Sequence, residues 1–83
     1  MNVEEKIEAL GSMIKEIDSL IPLLGDADLR DFLVSDMVDI KSMLYPFKFT
    51  TFLEQNKAET VDEYYGYCSE LLSDLRERVG GEV

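Results

Sequence analysis

Residues 3–24 read VEEKIEALGSMIKEIDSLIPLL, and the apolar residues of this stretch decide the fold. They recur at alternating steps of four and three, at Val3, Ile7, Leu10, Ile14, Ile17, Ile21 and Leu24. This spacing is typical of one face of an α-helix that packs lengthwise against other helices. Met13 and Leu20 widen the stripe on one flank, which favours a multi-helix core over a two-stranded seam. Because the stripe continues past Pro22, we predict that the proline kinks this helix rather than ends it.

A second helix is predicted from about Asp26 to Tyr45, with Asp26 or Asp28 as its cap. Its main apolar stripe again steps by four and three, through Leu33, Met37, Ile40 and Leu44. A further apolar line runs beside this stripe through Val34, Val38 and Tyr45, interrupted by Lys41, and Phe32 lies on yet another side. A helix that is apolar on more than one face either lies centrally in its bundle or is covered by a second molecule.

A third helix is predicted from Ala58 or Val61 to Val79, with Thr60 and Glu63 spaced as a capping box. Its stripe consists of Val61, Tyr65, Cys68, Leu72, Leu75 and Val79. We expect Gly80 and Gly81 to end this helix. Three helices of similar length with a short first connection predict a single all-α domain over residues 1–83, an up-down three-helix bundle.

The connection Tyr45-Pro46-Phe47-Lys48-Phe49-Thr50-Thr51-Phe52-Leu53 is rich in aromatic residues. Thr51 and Glu54 have capping-box spacing, which is compatible with a short fourth helix near residues 51–57. The phenylalanines have two interpretations. They close one end of the bundle, or they form an exposed patch that binds a partner or a second copy.

Composition narrows the classes of function. The chain of 83 residues carries 18 acidic and 8 basic residues, a net charge of −10. Such a charge repels nucleic acid and anionic membranes and favours a basic protein partner. Cys68 is the only cysteine, so no disulfide forms within one chain, and we expect a cytoplasmic setting.

The residues offer little catalytic chemistry. Histidine is absent, which removes histidine-based triads and histidine metal ligands. Cys68 falls on the core stripe and is interpreted as a small buried residue. Acidic pairs three residues apart resemble, in spacing alone, the Mg²⁺ ligands of all-helical nucleotide pyrophosphohydrolases, which would imply a carboxylate–metal hydrolase. These pairs are Glu5 and Glu8, Asp36 and Asp39, and Glu59 and Asp62.

Asp18-Ser19-Leu20 resembles the attachment tripeptide of acyl carrier proteins, which are also acidic, helical and close to this length. The resemblance implies a phosphopantetheine group on Ser19. In that family the serine begins the second helix, whereas here Ser19 lies inside the first predicted helix.

We therefore expect a non-enzymatic, acidic interaction module that forms a homo-oligomer, most simply a dimer, with no cofactor, metal or catalytic residue assigned. Its interface is predicted in helix two and the aromatic connection, at Val34, Val38, Tyr45, Phe47, Phe49 and Phe52. Three alternatives stay open: an acidic regulator of a basic protein surface, a carrier modified at Ser19, and a carboxylate–metal hydrolase.

Overall fold

A computed structural model describes the backbone of residues 2–45 and 54–82 and the side chains of residues 2–45 and 58–80. In these ranges the chain forms three α-helices and no strand. They are α1 (Val3–Leu20), α2 (Ala27–Leu44) and α3 (Glu54–Glu82). The predicted all-α bundle is thereby confirmed.

Two ion pairs fix the direction of α3 against α1. Lys6 Nζ lies 2.5 Å from Asp62 Oδ1, and Arg76 Nε lies 2.5 Å from Glu16 Oε2. Because the residue numbers rise together in both pairs, α1 and α3 run parallel. In contacts between α2 and α3 the residue numbers run in opposite directions, since Asp36 contacts Tyr67 and Met43 contacts Tyr64, so α2 is antiparallel to α3 and the order is up-down-up.

The core of the described residues is entirely apolar and follows the three predicted stripes, except that Tyr64 packs against it where Tyr65 was predicted. Its buried members come from every helix and from the connection after α1: Leu10, Ile14, Ile17, Ile21, Leu24, Leu33, Met37, Ile40, Leu44, Val61, Cys68, Leu72 and Leu75. No buried polar side chain occurs in this part of the chain. The core therefore gains its stability from apolar burial alone.

Side chains cap the first two helices. The Asn2 carboxamide accepts a hydrogen bond from the Glu5 backbone N–H at 2.8 Å, and Glu5 accepts one from the Asn2 N–H at 3.4 Å. This capping box was not predicted, although Asn2 and Glu5 have its spacing. Asp26 caps α2 by accepting from the Leu29 N–H at 3.1 Å, which confirms one of the two predicted caps.

The prediction for Pro22 was wrong. The α-helix ends at Leu20, and Ile21–Leu23 form a 3₁₀ turn instead of a kinked last turn. Proline has no N–H to donate, and its ring clashes with the carbonyl four residues earlier, so the tighter turn replaces the helix. Ile21 and Leu24 nevertheless remain buried, because the turn keeps both on the core side.

The predicted start of α3 was also wrong. The helix begins at Glu54, so Thr60 lies inside it rather than at its cap. A capping-box pattern is local, and residues 54–59 consist mostly of good helix formers that extend the helix before it. Residues 54–57 of the predicted fourth helix belong to α3, while 51–53 lie outside the described residues. Gly80 and Gly81 do not end α3, which continues to Glu82.

Two neighbouring positions on α2 test the core assignment. Met37 is 1% exposed and Val38 is 55% exposed. We predict that Met37→Ala lowers the free energy of unfolding by about 2–5 kcal/mol, because it leaves a cavity. Val38→Ala should cost at most about 0.5 kcal/mol, as at other surface positions. Urea unfolding followed by circular dichroism measures both, and equal losses would contradict the assignment.

Candidate functional site

The extra apolar line on α2 points away from the core. Val34, Val38 and Tyr45, here called the α2 outer face, are 52%, 55% and 63% exposed. Helical geometry explains this, because residues one position after Leu33, Met37 and Leu44 lie about 100° around the helix. The three other predicted interface residues, Phe47, Phe49 and Phe52, lie outside the described residues. The α2 outer face is thus apolar and accessible in this chain, while its role as an interface stays a prediction.

Exposed apolar side chains also lie on the opposite flank of α2, toward α3. Phe32 is 61% exposed and Met43 is 51% exposed. The Tyr64 hydroxyl of α3 donates a hydrogen bond to the Met43 sulfur, which ties this flank to α3. The flank that contains Met43 is therefore tied to α3.

An open cleft of about 330 Å³ lies between α2 and α3. Its lining is acidic and aromatic, and consists of Asp36, Asp39, Ile40, Glu63, Tyr64 and Tyr67. The Tyr67 hydroxyl donates a hydrogen bond to Asp36, which raises the pKa of Tyr67 to about 12. Carboxylates beside aromatic rings favour cationic groups over anionic ones.

Sequence reasoning missed this cleft. Asp36 and Asp39 were identified as an acidic pair, but no pattern in the sequence linked α2 to α3. Tyr64 and Tyr67 are three residues apart and so share one helix face, which was the available signal. Only the packing of α2 on α3 brings these two pairs together.

The described residues do not gather the predicted acidic pairs into one site. No cluster of three or more potential metal ligands occurs among them. Glu5 takes part in the α1 cap, and Asp62 pairs with Lys6 of α1. Each of these carboxylates therefore already has a structural role at the surface.

Ser19 lies in the last turn of α1. Its hydroxyl donates a hydrogen bond to the Glu16 carbonyl at 2.6 Å, as serine often does within helices. Acyl carrier proteins instead have their serine at the start of the second helix. The Asp-Ser-Leu tripeptide is thus present here in a different structural position.

Cys68 is fully buried in the core, as predicted for a small apolar residue. Burial, with a smaller contribution from the charge of Asp36, raises the pKa of its thiol to about 11. Because the thiolate is the reactive form, a thiol that stays protonated near pH 7 is a poor nucleophile.

The chain matches no protein family model, no curated protein and no solved structure. Within the described ranges, no helix combines the length and apolar character required to cross a membrane. Inferences about function therefore rest on the surfaces described above.

The buried thiol predicts a loss of stability at alkaline pH. The pKa of Cys68 is higher in the folded chain than in the unfolded one. The protonated thiol therefore makes its full contribution to the free energy of unfolding below about pH 9, and this contribution is lost as the pH rises through about 11. We predict that the free energy of unfolding falls between about pH 8 and pH 11 by about 2 kcal/mol more in the wild type than in Cys68→Ala. Urea unfolding at each pH measures the difference, and parallel curves would contradict it.

Proposed function

We propose that this chain is a non-enzymatic protein–protein interaction module that associates with itself through α2 and the aromatic connection that follows. The observation that carries the proposal is the exposure of the α2 outer face. Val34, Val38 and Tyr45 are each more than half exposed, and they lie on one side of a single helix. Such apolar patches are unusual on monomers and common at interfaces, where aromatic residues dominate the binding energy.

The small size of the chain supports the same proposal. A chain of 83 residues buries only about two thirds of the surface that its unfolded form exposes. No disulfide is available within one chain to add stability, because Cys68 is its only cysteine. Self-association stabilises small folds by covering further apolar surface. Burial of the α2 outer face in a dimer would therefore also stabilise the fold.

Replacing one residue of the α2 outer face tests self-association. We predict that Val38→Asp weakens the dimer at least about tenfold, because a charge would be buried in an apolar contact. Helicity should change little, since Val38 is exposed, and the folding transition should change little at concentrations at which the wild type is monomeric. Sedimentation velocity from micromolar to millimolar concentration measures the dimer.

The matched control is Ser73→Asp, which adds the same charge to an exposed position on α3. It should leave the dimer intact. Phe49→Asp extends the test to the aromatic connection, where loss of the dimer with retained helicity would support an interface. A wild type that stays monomeric at every concentration, including at high salt, would refute the proposal.

A second candidate function is the binding of a basic protein surface. The α2/α3 cleft favours it, because Asp36, Asp39 and Glu63 line a groove that also presents two tyrosine rings. Lysine and arginine side chains bind both carboxylates and aromatic faces. The net charge of −10 would speed the encounter with such a partner.

A lysine-rich peptide tests this second candidate. We predict that replacing Asp36, Asp39 and Glu63 by their amides weakens peptide binding about tenfold at low salt, since three attractive charges are lost. The control replaces Glu59, Glu70 and Glu77 of α3 by glutamine, which changes the net charge equally but lies outside the cleft. Isothermal titration calorimetry measures both, and equal losses would show attraction by net charge alone.

A further inference from the structure

The α2 outer face belongs to a longer exposed stripe. Its members are all exposed and follow one another at alternating steps of four and three, at Ala27, Asp31, Val34, Val38, Lys41 and Tyr45. We call these six residues the α2 seam. This spacing is that of a helix seam that packs lengthwise against another helix. The core stripe of α2 is already buried, so the α2 seam is a second, independent packing surface on the same helix.

We propose that two copies of the chain associate through antiparallel α2 helices, with the two-fold axis passing beside position 36. The inference rests on the proposed self-association and gives it an orientation and a register. Taking every second member of the seam gives two sets, one with Ala27, Val34 and Lys41 and one with Asp31, Val38 and Tyr45. In antiparallel packing, members of one set face members of the other set across the contact. This register places Val34 opposite Val38, Asp31 opposite Lys41, and Ala27 opposite Tyr45 of the second copy.

Each of these pairs is complementary. Val34 and Val38 form an apolar centre, and the two-fold axis repeats the contact. Asp31 of each copy faces Lys41 of the other copy, with one such pair on either side of that centre. The dimer therefore gains two ion pairs. At the ends, the small Ala27 leaves room for the Tyr45 ring, as facing positions in a packed seam require.

Other arrangements of the seam are not complementary. A parallel pairing places Asp31 against Asp31 and Lys41 against Lys41, so like charges face each other. Sliding the antiparallel pair by one heptad in either direction places Lys41 or Asp31 opposite a valine. Only the proposed register pairs every seam residue with a suitable partner.

Lys41 already binds Asp18 of its own chain at 2.5 Å, with half of its side chain exposed. An ammonium group has three protons to donate, so Lys41 can keep Asp18 and also bind Asp31 of the second copy. One helix face contributes fewer residues than the roughly 20–30 a side of stable complexes. We therefore expect a reversible dimer that depends on concentration.

Reversing one charge of the seam tests the register. Asp31→Lys changes the net charge from −10 to −8, which reduces the general repulsion between copies. In the proposed register, however, it replaces two attractive pairs by two repulsive ones, so we expect a dimer weakened about tenfold. Glu70→Lys on the exposed face of α3 makes the same change in net charge and should dimerise at least as tightly as the wild type. Sedimentation equilibrium at constant ionic strength measures each dissociation constant.

Charge complementation gives the second arm. Lys41→Asp alone should also weaken its own dimer. An equimolar mixture of Asp31→Lys and Lys41→Asp chains should form a heterodimer, because each chain then presents two charges of one sign. If Asp31→Lys instead dimerises as tightly as Glu70→Lys, the register is wrong, while dissociation by Val38→Asp would still support self-association through α2.

Cysteine cross-linking gives the third arm and reports the orientation. In the antiparallel pair, the two Ala27 positions lie about 27 Å apart, because 18 residues separate position 27 from position 45. Ala27→Cys alone should therefore not form a disulfide dimer under mild oxidation. Mixed with Tyr45→Cys, it should form a heterodimeric disulfide. Rapid cross-linking of Ala27→Cys with itself would overturn the antiparallel arrangement in favour of a parallel one.

Discussion

The structure depends on the burial of three apolar stripes in one core that contains no polar side chain among the described residues. Apolar burial is strong but not directional, so on its own it would permit several arrangements of three helices. In the arrangement that forms, the ion pairs of Lys6 with Asp62 and of Arg76 with Glu16 join α1 and α3 in the parallel direction, and each pair is exposed enough to add little stability.

Ion pairs between helices occupy part of the chain's small set of basic residues. Three of the basic residues, Lys6, Lys41 and Arg76, bind a carboxylate of a neighbouring helix. The chain has five further basic residues against 18 acidic ones, so acidic groups greatly outnumber the cations that are left. The α2 seam contains one residue of each sign, Asp31 and Lys41, and Lys41 also binds Asp18 of its own chain.

The helix α2 has two roles that a single helix can combine only because its faces are independent. One face supplies Leu33, Met37 and Ile40 to the core, and the residues next to them in sequence point outward. A short chain has no fourth helix in the described ranges to cover that outer side. Within those ranges no helix covers Val34 and Val38, so a second molecule is proposed to cover them.

The sequence by itself determined the helices, their core faces and the cap at Asp26, because periodicity and capping depend on residues at most four positions apart. The same local information contained the Asn2 cap, which was overlooked. It failed at Pro22, where the apolar stripe suggested a continuous helix and the proline ended it, and at Thr60, where a capping pattern predicted a start inside a longer helix. Only the tertiary structure decided the ion pairs between α1 and α3, the contact between Tyr67 and Asp36, and the exposure of the α2 seam. Each of these depends on residues distant in the chain that meet only when the helices pack.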